Sequence, residues 1–417
     1  MLSSSSHLTK EFDSSEHQSL GEVTLPGLPA GSTHFTFPGG AKLTFGQIIA
    51  LAGDYFGVAL EPISLGADRD EKQKRFLAAY RELANCPSDD VYRLTKEFDI
   101  EEKEAKSAIA EAKAESDGIN KVTTKETEIA LKSTRGKYLT LAEHNLDHFN
   151  TQAHDAFWTG YELAMTAAVS ASKLPKRTAR EQRLEHAYKL LAFACHFMTD
   201  LFASGHMRAP RAELEATFGA EIGSLLTLFQ HNEDGDMGLE VTAKTKDGIK
   251  QTWRAYGDGH LFEKKSTENQ NRALSTVQEA VNEIHQAFLH QKFTTQNQSA
   301  LVEMIPTITA NNHPPMFKLD ANGKLLCRIP IGGEPKNTYT ELTKEKAVEI
   351  LEHHFVKFIE QSIKDRITGY ITALKADVKK IKDDFKQLPS QSIFSKSKDA
   401  NQTNETLCPT PSCCSIM

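Results

Sequence analysis

The chain reads as a mainly α protein: a multi-helix domain with small β-hairpin insertions and a C-terminal helical extension. Two observations predict this. Apolar residues recur at helical spacing over 71–85, 88–134, 139–172 and 178–206, and again over about 343–364 and 366–387. Strand signals are scarce, and the clearest are two hairpins. One is LEVTAKTKDGIKQTWRAY (239–256), turning at Asp247-Gly248; the other is MFKLDANGKLLCRIPI (316–331), turning at Asn322-Gly323.

Composition narrows the function classes. With 417 residues, 39% of them hydrophobic and 25% charged, the chain is long enough to bury a large core. No run of 18 apolar residues exists, so a membrane-crossing helix is not expected. A net charge of −7 lacks the basic footprint that displaces counterions from phosphates, and no nucleic-acid partner is expected. Six cysteines are too few for a disulfide scaffold, yet Cys408, Cys413 and Cys414 cluster in the last ten residues.

In order along the chain, residues 1–24 are Ser-rich without an apolar segment and read as a disordered leader. The glycines and prolines of 25–40 predict a loop that contains His34. A buried helix begins near Leu43, and Gly53 and Gly57 flank Asp54 after it. The main domain is expected over 25–300, a hairpin with amphipathic helices over 301–388, and a polar, disordered tail over 389–417.

The densest chemical signal is HFMTDLFASGHMRAPR. A helix puts His196 and Asp200 on one face, one turn apart, where they can share a cation. His206 follows six residues after Asp200, and Ser204-Gly205 can end the helix and turn that imidazole back. An isolated pair of this kind also fits a core histidine with a carboxylate partner. Other segments favour the metal reading. AEHNLDHFNTQAH supplies His144, Asp147, His148 and His154 on another predicted helix, where Asp147 or His148 can complete a site. QHNEDGDMGLE offers His231, Glu233, Asp234 and Asp236 in a predicted loop without the ligand spacing of a calcium site. AYGDGHLF adds Asp258 and His260, with Asp258 fitting a turn residue better than a ligand. Imidazole with carboxylate favours zinc over magnesium.

These residues resemble a known family. His196-x-x-x-Asp200 followed by His206, with ALAGDYFG upstream and HNEDGDMGL and W-x-AYGDG downstream, resembles the zinc-dependent phospholipase C and single-strand nuclease superfamily. The likeness is greatest to its bacterial phosphatidylcholine-hydrolysing branch and covers about 30–300. It implies an all-helical fold holding two or three zinc ions. It also implies that Asp54 is a first-zinc ligand and general base, and that His148, His196 and a bridging Asp200 complete that site. His206 then opens a second site with His231 and a carboxylate from Glu233 or Asp234, and His34 serves a third. The chain departs from the family in two places: no glutamate follows His231 at the family's H-x-x-x-E interval, and no N-terminal tryptophan is present. The implied reaction is hydrolysis of phosphatidylcholine to diacylglycerol and phosphocholine. Tyr55, Phe56, Phe149, Trp158 and Tyr161 are open candidates for a choline pocket, each also fitting ordinary core.

The chain ends Cys414-Ser415-Ile416-Met417, a C-a-a-X match that favours a farnesyl group on Cys414, with Cys413 or Cys408 as palmitate sites. A host prenyltransferase is then an expected partner, together with the phospholipid substrate and a membrane surface. The reading that joins a bacterial catalytic domain to eukaryotic lipidation is an effector delivered without a signal peptide to the cytosolic face of host membranes. A single-strand nuclease, or a lipid-anchored effector with a degenerate metal site, are the alternatives.

Overall fold

The computed structural model describes residues 14–29, 31–110, 133–134, 137–144 and 146–364. The chain divides into two units, 1–367 and 368–417, and the second lies outside the described residues. So do the expected helix 366–387, the tail, and the 111–132 part of the long predicted helix.

The described unit is mainly helical with small sheets. Its first helix, α1 (Ser14–Ser19), falls where the sequence led us to expect a disordered leader. Two residues each form β1 (Phe35–Thr36) and β2 (Lys42–Leu43). Helix α2 (Phe45–Leu51) starts at a capping box in which Thr44 and Gln47 satisfy each other's backbone amides, and it ends where Gly53 takes φ +73°. Helix α3 (Arg69–Ala84) is capped by Asp68, whose carboxylate accepts the Glu71 amide. Helix α4 (Ser88–Ala110) restarts beyond Pro87.

The predicted helix 139–172 is interrupted. Helix α5 (Lys137–Glu143), a 3-10 turn Leu146–His148 and α6 (Asn150–Ser172) take its place, so His144 and His148 do not share a continuous helical face. Helix α7 (Arg177–Asp200) stops six residues short of the predicted boundary. Helices α6 and α7 pack against each other as the centre of the core, with α2, α3 and a later helix laid over them. Gly160 sets how closely they approach, because a Cβ there would lie 2.3 Å from the Phe76 ring and 2.6 Å from Ala194 Cβ. Phe76, Phe157, Tyr161, Phe193 and Phe197 fill this core, each side chain stabilising it by roughly 1.5–3 kcal/mol.

Beyond α7 lie α8 (Arg211–Phe218) and α9 (Ala220–Met237). Helix α9 includes His231 to Asp236, so the expected loop is helical and ends only at Gly238, φ +67°. The first hairpin forms as the sequence predicts. In it β3 (Leu239–Lys244) pairs with β4 (Lys250–Ala255), and β5 (Thr307–Ile308) adds to the other edge of β3. Leu239 and Val241 face inward with Trp253 and Ala255 to build a second core. Helix α10 (Thr267–His290) follows. The second hairpin is β6 (Phe317–Leu319) with β7 (Leu325–Arg328), joined by β8 (Tyr339–Glu341). Helix α11 (Lys344–Lys364) ends the described unit. No helix among the described residues is long and apolar enough to cross a membrane.

Candidate metal centre

Five histidines and three aspartates from distant parts of the chain converge on one buried region. His196 and Asp200 stand one turn apart on α7, both with 0% exposure. Because α7 ends at Asp200, the chain reverses through a 3-10 turn, Ser204–His206, which brings His206 back over the helix end. Asp54 follows the sharp exit from α2, and His148 closes the 3-10 turn before α6. His17 comes from α1, His231 from α9, and Asp258 from the loop after β4.

The ligand atoms sort into three groups, Asp54/His148/His196, His17/His196/Asp200 and His206/His231/Asp258, each within 4.8 Å. Asp200 links the first two. Its Oδ2 is 3.0 Å from His148 Nδ1 and 3.6 Å from His196 Nε2, and its Oδ1 is 3.4 Å from His17 Nε2. Asp54 Oδ1 lies 3.7 Å from His148 Nδ1 and 3.8 Å from His196 Nε2. In the third group Asp258 Oδ2 is 3.1 Å from His206 Nε2 and 3.0 Å from His231 Nε2.

Hydrogen bonds on the far sides of the rings aim these nitrogens inward. His196 Nδ1–H donates to the Ile49 carbonyl at 2.9 Å and His206 Nδ1–H to the His148 carbonyl at 2.9 Å. His231 Nδ1–H donates to Asn232 Oδ1 at 3.0 Å. The Thr199 hydroxyl is occupied in donating to the His196 carbonyl, so its oxygen accepts from His17 Nδ1–H at 2.8 Å. In a neutral ring the Nε2 lone pair then points at a carboxylate, which is repulsive unless a proton or a cation lies between. Metal-binding histidines are held in this way.

The electrostatics differ between the groups. Burial pushes His17 below the usual imidazole range and His196 well below it, despite the attraction of Asp200, which keeps both available as neutral ligands. Burial would also lower His206, but the Asp200 and Asp258 carboxylates outweigh it and push the ring up to about 9. Burial would raise Asp200 and Asp258. The surrounding imidazoles, His196 first at Asp200 and His206 first at Asp258, hold both below the carboxylate range.

Two glycines let the rings close in. A Cβ on Gly53 would lie 2.6 Å from His196 Cδ2 and 2.7 Å from His148 Cε1, and one on Gly205 would lie 2.5 Å from His231 Cδ2. The residues therefore fit metal ions: buried imidazole nitrogens and carboxylate oxygens, pre-oriented and closely spaced, can hold them.

Several expected ligands lie elsewhere. His34 is exposed on its loop, bonded to Thr33, and His17 takes its place in the cluster. Nothing in the Ser-rich start of the chain marks His17 except its being an early histidine. Glu233 and Asp234 lie two and three residues after His231 on α9 but are bonded to arginines instead. Arg328 grips Glu233 with two hydrogen bonds, at 2.7 and 2.6 Å, and Arg208 grips Asp234 at 2.9 and 2.6 Å. With His313 they form a fourth acidic cluster, but guanidinium groups already neutralise it. The carboxylate facing His231 is Asp258, read from sequence as a turn residue. Asp147 accepts the amides of Ile63 and Ser64 and so caps a neighbouring turn. His260 pairs with Glu263 and Asp236. Among the aromatic candidates, Tyr161 and Trp158 are core residues, Tyr55 bonds Ser14, and Phe149 stacks on His206 with centroids 4.7 Å apart. Cys413 and Cys414 lie outside the described residues.

No family model, curated protein or solved structure matches the chain.

Proposed function

We propose that this chain is a zinc-dependent phosphodiester hydrolase, a phospholipase C that converts phosphatidylcholine to diacylglycerol and phosphocholine. The observation that carries the reading is the Asp200 carboxylate, which faces His17 with one oxygen and His148 with the other, beside the His206/His231/Asp258 trio. Such an array suits two or three adjacent cations, and imidazole–carboxylate donors favour zinc over magnesium. Zinc ions bound there supply Lewis acidity, lowering the pKa of a nucleophilic water and offsetting charge on phosphoryl oxygens. Asp54, at the edge of the first group, accepts the proton of the attacking water. His148, His196 and Asp200 hold the first site, and His206, His231 and Asp258 the second.

The reading extends to location through the sequence alone. Cys414, in the terminal C-a-a-X match, takes a prenyl group from a host prenyltransferase and Cys413 a palmitate, so that a bacterial effector acts at the cytosolic face of host membranes.

The deciding experiment incubates purified protein with phosphatidylcholine vesicles and measures phosphocholine. Release that stops with a chelator, returns with zinc and is lost in His196→Ala is the expected result. Nucleotide release from single-stranded DNA instead would replace this reading with a nuclease. No hydrolysis of either substrate in the zinc-loaded protein would make it a non-catalytic effector. For the anchor, Cys414→Ser should move the protein from membranes to cytosol in a eukaryotic cell; unchanged membrane association counts against prenylation.

A further inference from the structure

We propose that the Arg208–Asp234 and Arg328–Glu233 pairs form a positioning frame for the His206/His231/Asp258 site, and that the β6–β7 hairpin serves this frame. The inference rests on reading that trio as a cation site.

All three ligand-bearing segments hang on one turn of α9. Arg208, two residues after His206, makes a two-pronged bond to Asp234, which lies three residues after His231. The Ser204 hydroxyl, two residues before His206, donates to the Asp234 carbonyl at 2.7 Å. The Gly257 amide, next to Asp258, donates to the Gly235 carbonyl at 3.1 Å. A Cβ on Gly257 would lie 2.5 Å from Gly235 Cα, so the Asp258 loop lies directly against the helix. The hairpin grips the same turn from outside. Arg328 of β7 forks onto Glu233 and also donates to the Pro314 carbonyl at 2.6 Å. The Phe317 amide donates to Gln230 Oε1 at 2.7 Å, and Arg208 donates to the His313 carbonyl at 2.9 Å.

Chemistry separates this frame from ordinary surface pairing. Asp234 is fully buried and Arg328 is 4% exposed. Buried ion pairs often add little net stability over apolar packing, and in some proteins they serve instead to fix a register or geometry. The planar guanidinium fork fixes both distance and angle, which a single ammonium cannot do. Groups bonded directly to metal ligands commonly change metal affinity by about 10- to 100-fold when removed, and these pairs act one step further out, through the backbone that carries the ligands.

The test uses the full chain loaded with cobalt(II), with ion count and site affinities read by chelator competition and visible absorption. His231→Ala identifies the signal of the second site. Arg208→Met, Arg328→Met and Asp234→Asn should each weaken that ion about 10-fold and leave the Asp54/His148/His196 ion unchanged, and Arg208→Lys should weaken it as Arg208→Met does. Gln230→Leu, which removes the Phe317 contact and the two longer bonds from Gln230 Nε2 to the Arg208 carbonyl and to Asp234 Oδ2, both at 3.4 Å, while leaving both arginine forks in place, is the milder variant if Arg328→Met does not fold. Equal weakening of every ion together with a fall in melting temperature would make the pairs merely structural and overturn the proposal. Wild-type affinity in the variants would overturn it as well. If His231→Ala itself leaves the ion count unchanged, the cation-site reading fails, and this inference with it.

Discussion

His17 Nε2 lies 3.4 Å from Asp200 Oδ1, while Thr199 holds the other nitrogen of the His17 ring. A residue from a six-residue helix near the start of the chain thus shares a carboxylate with the centre of the longest helical pair. His17→Ala should lose one bound ion and keep the rest, whereas Asp200→Asn should weaken more than one, by about 10-fold or more each. Native mass spectrometry of the zinc-loaded protein counts the ions directly; equal counts in the two variants would refute the bridging role.

Gly53 combines positive φ with two imidazoles at contact distance. Gly53→Ala should destabilise the fold by about 1–3 kcal/mol and displace His148 and His196, cutting metal affinity. Gly31 has a similar φ of +82° but no heavy atom within 4 Å of an added Cβ. Gly31→Ala should therefore carry only the backbone cost, about 1 kcal/mol, with metal affinity unchanged. Chemical denaturation and metal titration of the two variants provide the comparison.

Asp258 and Glu233 offer a direct contrast between a carboxylate aimed at imidazoles and one aimed at a guanidinium. Asp258→Asn should remove the second-site ion, while His34→Ala should leave every ion in place. Competition with a colorimetric chelator distinguishes these outcomes.

Glu263 accepts from His260 Nδ1–H at 2.7 Å and pairs with Lys265 at 2.8 Å. Burial alone would raise its carboxyl, but these partners outweigh burial and hold it down at about 2, against an ordinary 4.5. The unfolded chain then binds a proton that the folded chain refuses. The contribution is fully present above pH 4.5 and fades as the pH falls towards about 2. It amounts to roughly 2 kcal/mol after allowance for solvent screening. In metal-free protein, Glu263→Gln should lower the melting temperature at pH 6 and converge with wild type as the pH falls below about 4. A constant offset across that range would contradict the assignment.

Local signals made part of this legible. His196 and Asp200 are neighbours by helical spacing alone, and the hairpin turns at Asp247-Gly248 and Asn322-Gly323 follow from residues that favour positive φ. Ser204-Gly205 marks the turn that brings His206 back, but α7 itself stops earlier, at Asp200. The candidate ligands without a sequence signal depend on long-range packing. His17 looks like any histidine in a polar leader, and its short helix is held by long-range partners: Thr199 and Asp200 on α7, the Gly259 and Leu261 amides that donate to Glu16, and packing on α2. Asp258 is disguised as a turn residue because its loop is tied to α9 through a backbone bond. Glu233 and Asp234 misled in the opposite direction: they sit beside a ligand in sequence, but arginines far from them in the chain determine where they point. In α9 polar residues and the glycines Gly223 and Gly235 dilute the apolar spacing, whereas α10 carries a regular apolar stripe, Ala273, Val277, Ala280, Val281, Ile284 and Ala287, that is legible in the sequence.

The docking of α1 bears on when the His17 group exists. A helix of six residues does not persist by itself in water. Here Glu16 accepts the amides of Gly259 and Leu261, on either side of His260, while His17 reaches Asp200. Docking of α1 through these bonds consequently needs α7 and the loop beyond β4 to be in place. The His17 group therefore exists only while α1 is docked on α7, so its metal affinity reads out that docking.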